Sequence, residues 1–166
     1  MLPRILVLAG LCLALVTQAL ADDYSDGVSA LNDGNYQRAL QLLLPLAEKG
    51  EPKAQWKLGL VYHLGLGVQE NDAKAREWLT KSAQQGNADA QYQLGHLYAF
   101  GFGVPKNETD PDLKAVQWYF KAAVQGHPEA QYNLGLMFLA GKGLVQSHEE
   151  AMKWIRRAAA RTCRST

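Results

Sequence analysis

Along residues 54–160 the apolar positions follow a helical period, and the same pattern is written three times. Leu58 and Tyr62, Leu94 and Tyr98, and Leu134 and Phe138 are spaced i, i+4, which places each pair on one face of a helix. Around them runs a longer shared phrase. Ala54-Gln55-Trp56-Lys57-Leu58-Gly59 returns as Ala90-Gln91-Tyr92-Gln93-Leu94-Gly95, and again as Ala130-Gln131-Tyr132-Asn133-Leu134-Gly135. Each copy leads to a Gly-x-Gly (Gly65 and Gly67, Gly101 and Gly103, Gly141 and Gly143). Each then reaches an Ala-x-x-Trp, at Ala75/Trp78, Ala115/Trp118 and Ala151/Trp154. Self-similarity at this period is the mark of a stacked repeat array.

The punctuation divides every copy into two helices. Asn71, Asp110 and Ser147 stand where second helices begin and are good N-cap residues. Ser147-His148-Glu149-Glu150 reads as a capping box, and Pro111 suits a first helical position. Gly50, Gly86 and Gly126 close the preceding helices, and Pro52 and Pro128 open the next ones. A mid-helix glycine costs about 1 kcal/mol relative to alanine. Its recurrence at Gly59, Gly95 and Gly135 predicts close helix–helix contact, with Ala75, Ala115 and Ala151 as the matching small positions. The tryptophan three residues later is expected to fill the space between neighbouring repeats.

The predicted fold class is all-α: an α-solenoid, or superhelix, of stacked antiparallel helix pairs. The repeats are expected at 54–89, 90–129 and 130–166, the second with a loop insertion at 104–111 and the last with a basic tail. Residues 22–53 read as an N-terminal capping helix pair, since terminal repeats are often atypical.

Residues 1–21 carry the features of a signal peptide. Arg4 supplies the positive start, Ile5 to Val16 the apolar stretch, and Ala19-Leu20-Ala21 the small-x-small cleavage site. The stretch is short of the ~20 residues that span a bilayer, so no stable membrane span is expected. Export to the periplasm or the exterior follows. Removal of the signal takes Cys12 with it and leaves Cys163, a lone thiol that is either idle or available for an intermolecular disulfide linking a dimer.

Charge adds little. Seventeen Lys and Arg against sixteen Asp and Glu give a net charge of +1, with no basic stripe of the kind that binds nucleic acid. Arg156, Arg157, Arg161 and Arg164 complement the end of the last helix.

Candidate chemistry is sparse. The Gly-x-Gly elements follow no strand and precede no Gly-Lys-Ser/Thr, so they read as turns and not phosphate loops. Gly-x-Ser-x-Gly and Ser-x-x-Lys are absent, and no catalytic residue is nominated. His63, His96, His127 and His148 occupy four different repeat positions without a metal-ligand spacing, so neither a metal nor a cofactor is expected. Asn107-Glu108-Thr109 is a sequon that matters only on a eukaryotic secretory route.

The phrases Ala-x-x-x-Leu-Gly-x-x-Tyr, Gly-x-Gly-Val and Ala-x-x-Trp, in register over residues 54–160, resemble the Sel-one-like repeat family of tetratricopeptide-type solenoids. Gly34-Asn35-Tyr36-Gln37-Arg38-Ala39-Leu40 is similar to the start of a second helix in such a repeat. Leu144 for valine, Phe138 for tyrosine and the inserted loop depart from the pattern. The resemblance implies a non-catalytic adaptor that binds a protein or peptide, in bacteria often exported to the cell envelope. A cysteine-rich branch of the family carries a β-lactamase label, but its cysteine pair in each repeat is missing here. An envelope hydrolase of that type and a polysaccharide- or peptidoglycan-binding component are the rival readings. In tetratricopeptide-type stacks the first helix of each pair lines a groove. Carried over, its positions select Trp56, Leu60 and His63, then Tyr92, His96 and Ala99, then Tyr132, Leu136 and Leu139.

Overall fold

The structure, a computed structural model, describes residues 23–162, with side chains through 160. The expected signal segment and Cys163 lie outside the described residues. Within them the chain is helical throughout: α1 (23–32), α2 (Tyr36–Glu48), α3 (Pro52–Leu64), α4 (Asp72–Gln84), α5 (Ala88–Phe100), α6 (Pro111–Val124), α7 (Pro128–Ala140) and α8 (His148–Thr162). The most extensive contacts are α3 with α4, α5 with α6, and α7 with α8, which are the helix pairs. Successive pairs join through α2–α3, α4–α5 and α6–α7, and α3 also touches α5. This is a solenoid of stacked pairs.

The caps follow the sequence. Asn71 accepts from the Lys74 N–H (2.9 Å), Asp110 from Leu113 (2.8 Å) and Ser147 from Glu150 (3.2 Å). Only half of the expected capping box forms. The Glu150 carboxylate pairs with Lys153 at 2.9 Å, while the Ser147 N–H donates to the Phe138 carbonyl of α7 (3.1 Å). Asn71 makes the same backbone bond to Tyr62 (2.8 Å), so the turn between two helices of a pair is tied to the end of the first.

The helical glycines do mark close contact, with the expected alanine at two of the three sites and, at all three, with a larger side chain one turn beyond it. A Cβ on Gly59 would come within 2.5 Å of Leu79 Cγ, on Gly95 within 2.7 Å of the Tyr119 ring, and on Gly135 within 2.6 Å of Ile155 Cγ1. At Gly59 and Gly135 it would also meet the carbonyl oxygens of Ala75 (3.4 Å) and Ala151 (3.0 Å). The small alanines lie fully buried and let the backbones approach. The last glycine of each Gly-x-Gly works between repeats. Gly103, at φ +61°, sits against the backbone of Asp72, and Gly143 against that of Asp112, where a Cβ would clash.

A glutamine ladder also joins the repeats. Buried Gln55, Gln91 and Gln131 donate to the carbonyls of Ala47, Ala83 and Ala123 at 2.9–3.0 Å, clasping the end of the preceding helix. Gln85 and Gln125, at the ends of the second helices, reach back within their own repeats to the Gln55 and Gln91 side-chain oxygens (2.8 and 2.7 Å). A further ladder sets a cation over the second-helix tryptophans: Lys81 over Trp78, Lys121 over Trp118 and Arg157 over Trp154, 4.0–4.8 Å from the ring centres. Trp78 packs against the cluster formed by the first helices of the chain, and Trp154 meets Phe120 of the preceding pair edge-on, as expected of residues between repeats.

Candidate binding groove

The first helices α3, α5 and α7 carry the nine expected groove positions. At the junction of α5, α6 and α7 a cleft of about 470 Å³ brings four of them together: Tyr92, His96 and Ala99 from α5, and Leu136 from α7. Trp56, Leu60, His63, Tyr132 and Leu139 are outside its lining. Of these, Tyr132 is 48% exposed on α7; in the lining, Leu136 is 40% exposed.

The remaining wall was not anticipated. Phe100, Met137 and Ala140 extend the apolar surface, Asp112 and Lys142 bring one charge of each sign, and Tyr119 and Asn133 add polar groups. Tyr119 could have been noticed. It stands in register with Leu79 and Ile155, and a phenol where neighbouring repeats hold aliphatic side chains is a departure from the pattern. Asn133 carried no such signal, because Lys57 and Gln93 occupy its register and are equally polar.

The cleft is electrically quiet at its base. Tyr119 is 1% exposed, and burial pushes its hydroxyl far above the ordinary phenol range, so it stays protonated. Its hydroxyl has no hydrogen bond of normal geometry, although the Asn133 amide is near enough to ease its ionisation slightly. Burial chiefly, and Glu129 secondarily, also raise Tyr92. Burial lowers His96, and the nearby His63 lowers it further. His96 is therefore a neutral imidazole at pH 7, and its Nδ1 is buried without a partner.

The neighbouring residues set the rims. His127 caps α7: its Nδ1 accepts from the Ala130 N–H at 3.3 Å. The same Nδ1 lies 3.2 Å from a Glu129 carboxylate oxygen, and Nε2 faces Asp89 at 3.4 Å. The same ring stacks on Tyr92 at 4.6 Å between centres and fixes it at the cleft edge. On the other side, Phe102 lies 5.4 Å from the His63 ring and 6.2 Å from those of His96 and Phe100. His63 is held by Asp72 at 2.6 Å. Trp56 lies beneath the Lys57 ammonium at 4.1 Å, and its buried Nε1 has no acceptor. Among the described residues no group of three or more His, Cys, Asp or Glu could hold a metal. Among them too, no helix is long and apolar enough to cross a membrane.

Sequence comparison places Sel1 repeats at residues 19–51, 52–87, 88–127 and 128–163. No curated protein gives a significant sequence match. Among solved structures, a Sel1 repeat protein from Oxalobacter formigenes is 36% identical with a TM-score of 0.75, over 82% of this chain and 55% of that one. A protective antigen of uropathogenic Escherichia coli strains with an SLR fold is 31% identical with a TM-score of 0.78, over 89% of this chain and 32% of its own. The cysteine-rich protein B of Helicobacter pylori is 26% identical with a TM-score of 0.56, over 75% of this chain and 86% of its own. The chain thus spans about half or less of the first two relatives. Sel1 repeats generally form protein-interaction scaffolds and are typically non-enzymatic. With four such repeats running end to end through most of its length, the chain belongs to the Sel1 repeat family.

Proposed function

We propose that this chain is an exported, non-catalytic scaffold of the cell envelope that grips a segment of a partner protein along the face built by α3, α5 and α7. The observation that carries the reading is the cleft where Tyr92, His96 and Leu136 converge from two consecutive first helices. Solenoids present such a face as an extended surface. Tyr132 and Leu136 are large, exposed and not needed for packing, which suits anchoring contacts to a partner. Export rests on the positive start, apolar stretch and Ala19-Leu20-Ala21 of the first 21 residues.

The test is affinity capture from the native envelope fraction with wild type and with Tyr132→Glu/Leu136→Glu. Both positions are exposed, so the double variant is expected to melt within about 0.5 kcal/mol of wild type. Partner recovery should fall about tenfold, equivalent to ~1.4 kcal/mol. Undiminished recovery of the same partner would remove the groove from the reading. Intact mass of the captured protein should correspond to a chain beginning at Asp22, and a retained N-terminal segment would remove export by cleavage.

A further inference from the structure

The charges that nearly cancel over the whole chain are unevenly shared out in the fold. The later parts of the second helices carry no acid: none from Trp78 to Gln84 in α4, from Lys114 to Val124 in α6, or from Ala151 to Thr162 in α8. Register sets Lys81, Lys121 and Arg157 at one place on these helices, each exposed and each seated over its own helix's tryptophan. Exposed Arg156 adds to the row on α8. Of the acids around it, Glu150 is paired with Lys153, and Asp89 and Glu129 lie against His127, whose ring stacks on Tyr92 at the groove. Glu48 and Glu77 stand at the α2 and α4 end and Glu149 at the start of α8, so the positive surplus is greatest between Lys121 and Arg157.

The same place carries an apolar stripe on α6. Leu113, Phe120 and Val124 fall on one side of that helix and are 40%, 49% and 59% exposed. In their register α4 has Ala73, Thr80 and Gln84, and α8 has Glu149, Arg156 and Ala160. The repeat itself therefore needs no large apolar side chain there. Phe120 meets Trp154 edge-on at 5.8 Å, which brings Arg157, over that same indole, to one flank of the stripe. Lys121, over Trp118, stands on the other. At the helical rise the stripe is about 16 Å long.

We infer that this outer face rests on a membrane surface rich in anionic lipid, with the α6 stripe sunk among the headgroups and Lys121, Arg156 and Arg157 on lipid phosphates. The inference goes beyond the groove reading and does not depend on it. An apolar ridge with cations along its flanks is how a helix lies in an interface, and juxtaposed basic residues draw it to anionic headgroups. Lys121 and Arg157 lay their stems on indole faces and keep their charged ends in the headgroup layer, where tryptophan is also at home. A folded acidic protein would have to supply a trench for the ridge, whereas headgroups deform around it. A second copy of this chain on the same face would set Lys121 and Arg157 against like charge.

The experiment is flotation of the purified full-chain protein at low salt. One set of vesicles holds phosphatidylglycerol and phosphatidylcholine in equal parts, and the other phosphatidylcholine alone. Wild type should bind the anionic vesicles about tenfold or more tightly than the neutral ones, and high salt should close that gap. Lys121→Gln/Arg157→Gln should weaken anionic binding about twenty-five-fold, at about fivefold per cation. Phe120→Thr/Val124→Gln copies α4 and should weaken it about tenfold while melting as wild type does. Should the cation variant fail to fold, Arg156→Gln alone should still cost about fivefold. Equal binding to both vesicles overturns the inference. So does binding that these variants leave unchanged, which would assign the contact to another segment. No flotation with either vesicle overturns it too, and loss of a captured acidic protein in the same variants would then give the face to a protein partner. The groove reading stands or falls separately, on capture with Tyr132→Glu/Leu136→Glu.

Discussion

The junction of the first and second full repeats and the junction of the second and third are built from the same elements, but one is filled and the other is open. At the first, His63, His96, Phe100 and Phe102 close over the space between α3 and α5, with ring centres 4.5–6.2 Å apart. At the second, the residues in register with them are Ala99, Leu136, Ala140 and Lys142. Three of the four positions thus lose an aromatic ring to alanine or to a flexible lysine, and the fourth exchanges an imidazole for leucine. The cleft lies where those rings are missing. A repeat scaffold can therefore make a pocket without changing its backbone plan. The helix pairs, the close approach of Gly103 and Gly143 to the preceding pair and the glutamine-to-carbonyl clasps recur at both junctions, while the loop insertion at 104–111 and these side chains set them apart.

The strongest way to break the comparison is to attack what the junctions share. Gly95→Leu would drive a side chain into the Tyr119 ring, which a Cβ alone already approaches to 2.7 Å. Overpacking of this kind should cost about 3 kcal/mol in a urea melt. If the loss comes from this one contact, adding Tyr119→Ala should be less than additive, because the two sites touch. A Gly95→Leu protein as stable as wild type would show that the repeated glycines do not set the helix spacing.

Much of this plan was legible in the sequence. The helix pairs, the caps at Asn71 and Asp110 and the glycine contacts follow from local rules: period, N-cap chemistry and the cost of glycine. Four groove positions that meet in one cleft also lay within reach, since first-helix register is preserved from repeat to repeat. The cleft itself was less visible. It depends on what is absent across two helices and a turn, the small Ala99 and Ala140 and the non-aromatic Lys142. Single-position reading has no means to weigh such a set. Tyr119 was missed because it lies on a second helix, whose residues were assigned to packing. His127 was missed because a histidine is an uncommon N-cap, and its ring contact with Tyr92 crosses from one repeat to the next.

A gentler intervention sharpens the comparison by copying one junction onto the other. Ala140→Phe with Lys142→Phe supplies two of the missing rings. Both residues are exposed, so stability should move by no more than about 0.5 kcal/mol. Occupancy should respond far more: filling the cleft should lower recovery of the captured partner about tenfold, equivalent to ~1.4 kcal/mol. Partner recovery that is unchanged by the added rings would place the binding surface away from the cleft.

The smallest effect expected is a pH dependence carried by His96, which belongs to both junctions. Burial first, and then His63, lower its folded-state value below that of an unfolded histidine, about 6.5. Above that pH both forms are neutral and the full stability is present. As the pH falls through that value the unfolded chain takes up a proton that the folded chain refuses, so stability declines. The decline ends once the folded imidazole also protonates, at a lower pH. His96→Leu copies Leu60 and Leu136, the residues in its register, and removes this contribution while leaving the His63–Asp72 pair in place. Urea midpoints between pH 8 and 5 should therefore fall less steeply in the variant than in wild type, with the two curves separating below about pH 6.5. Parallel curves would show that His96 binds its proton as readily folded as unfolded, and would remove the neutral imidazole from the floor of the cleft.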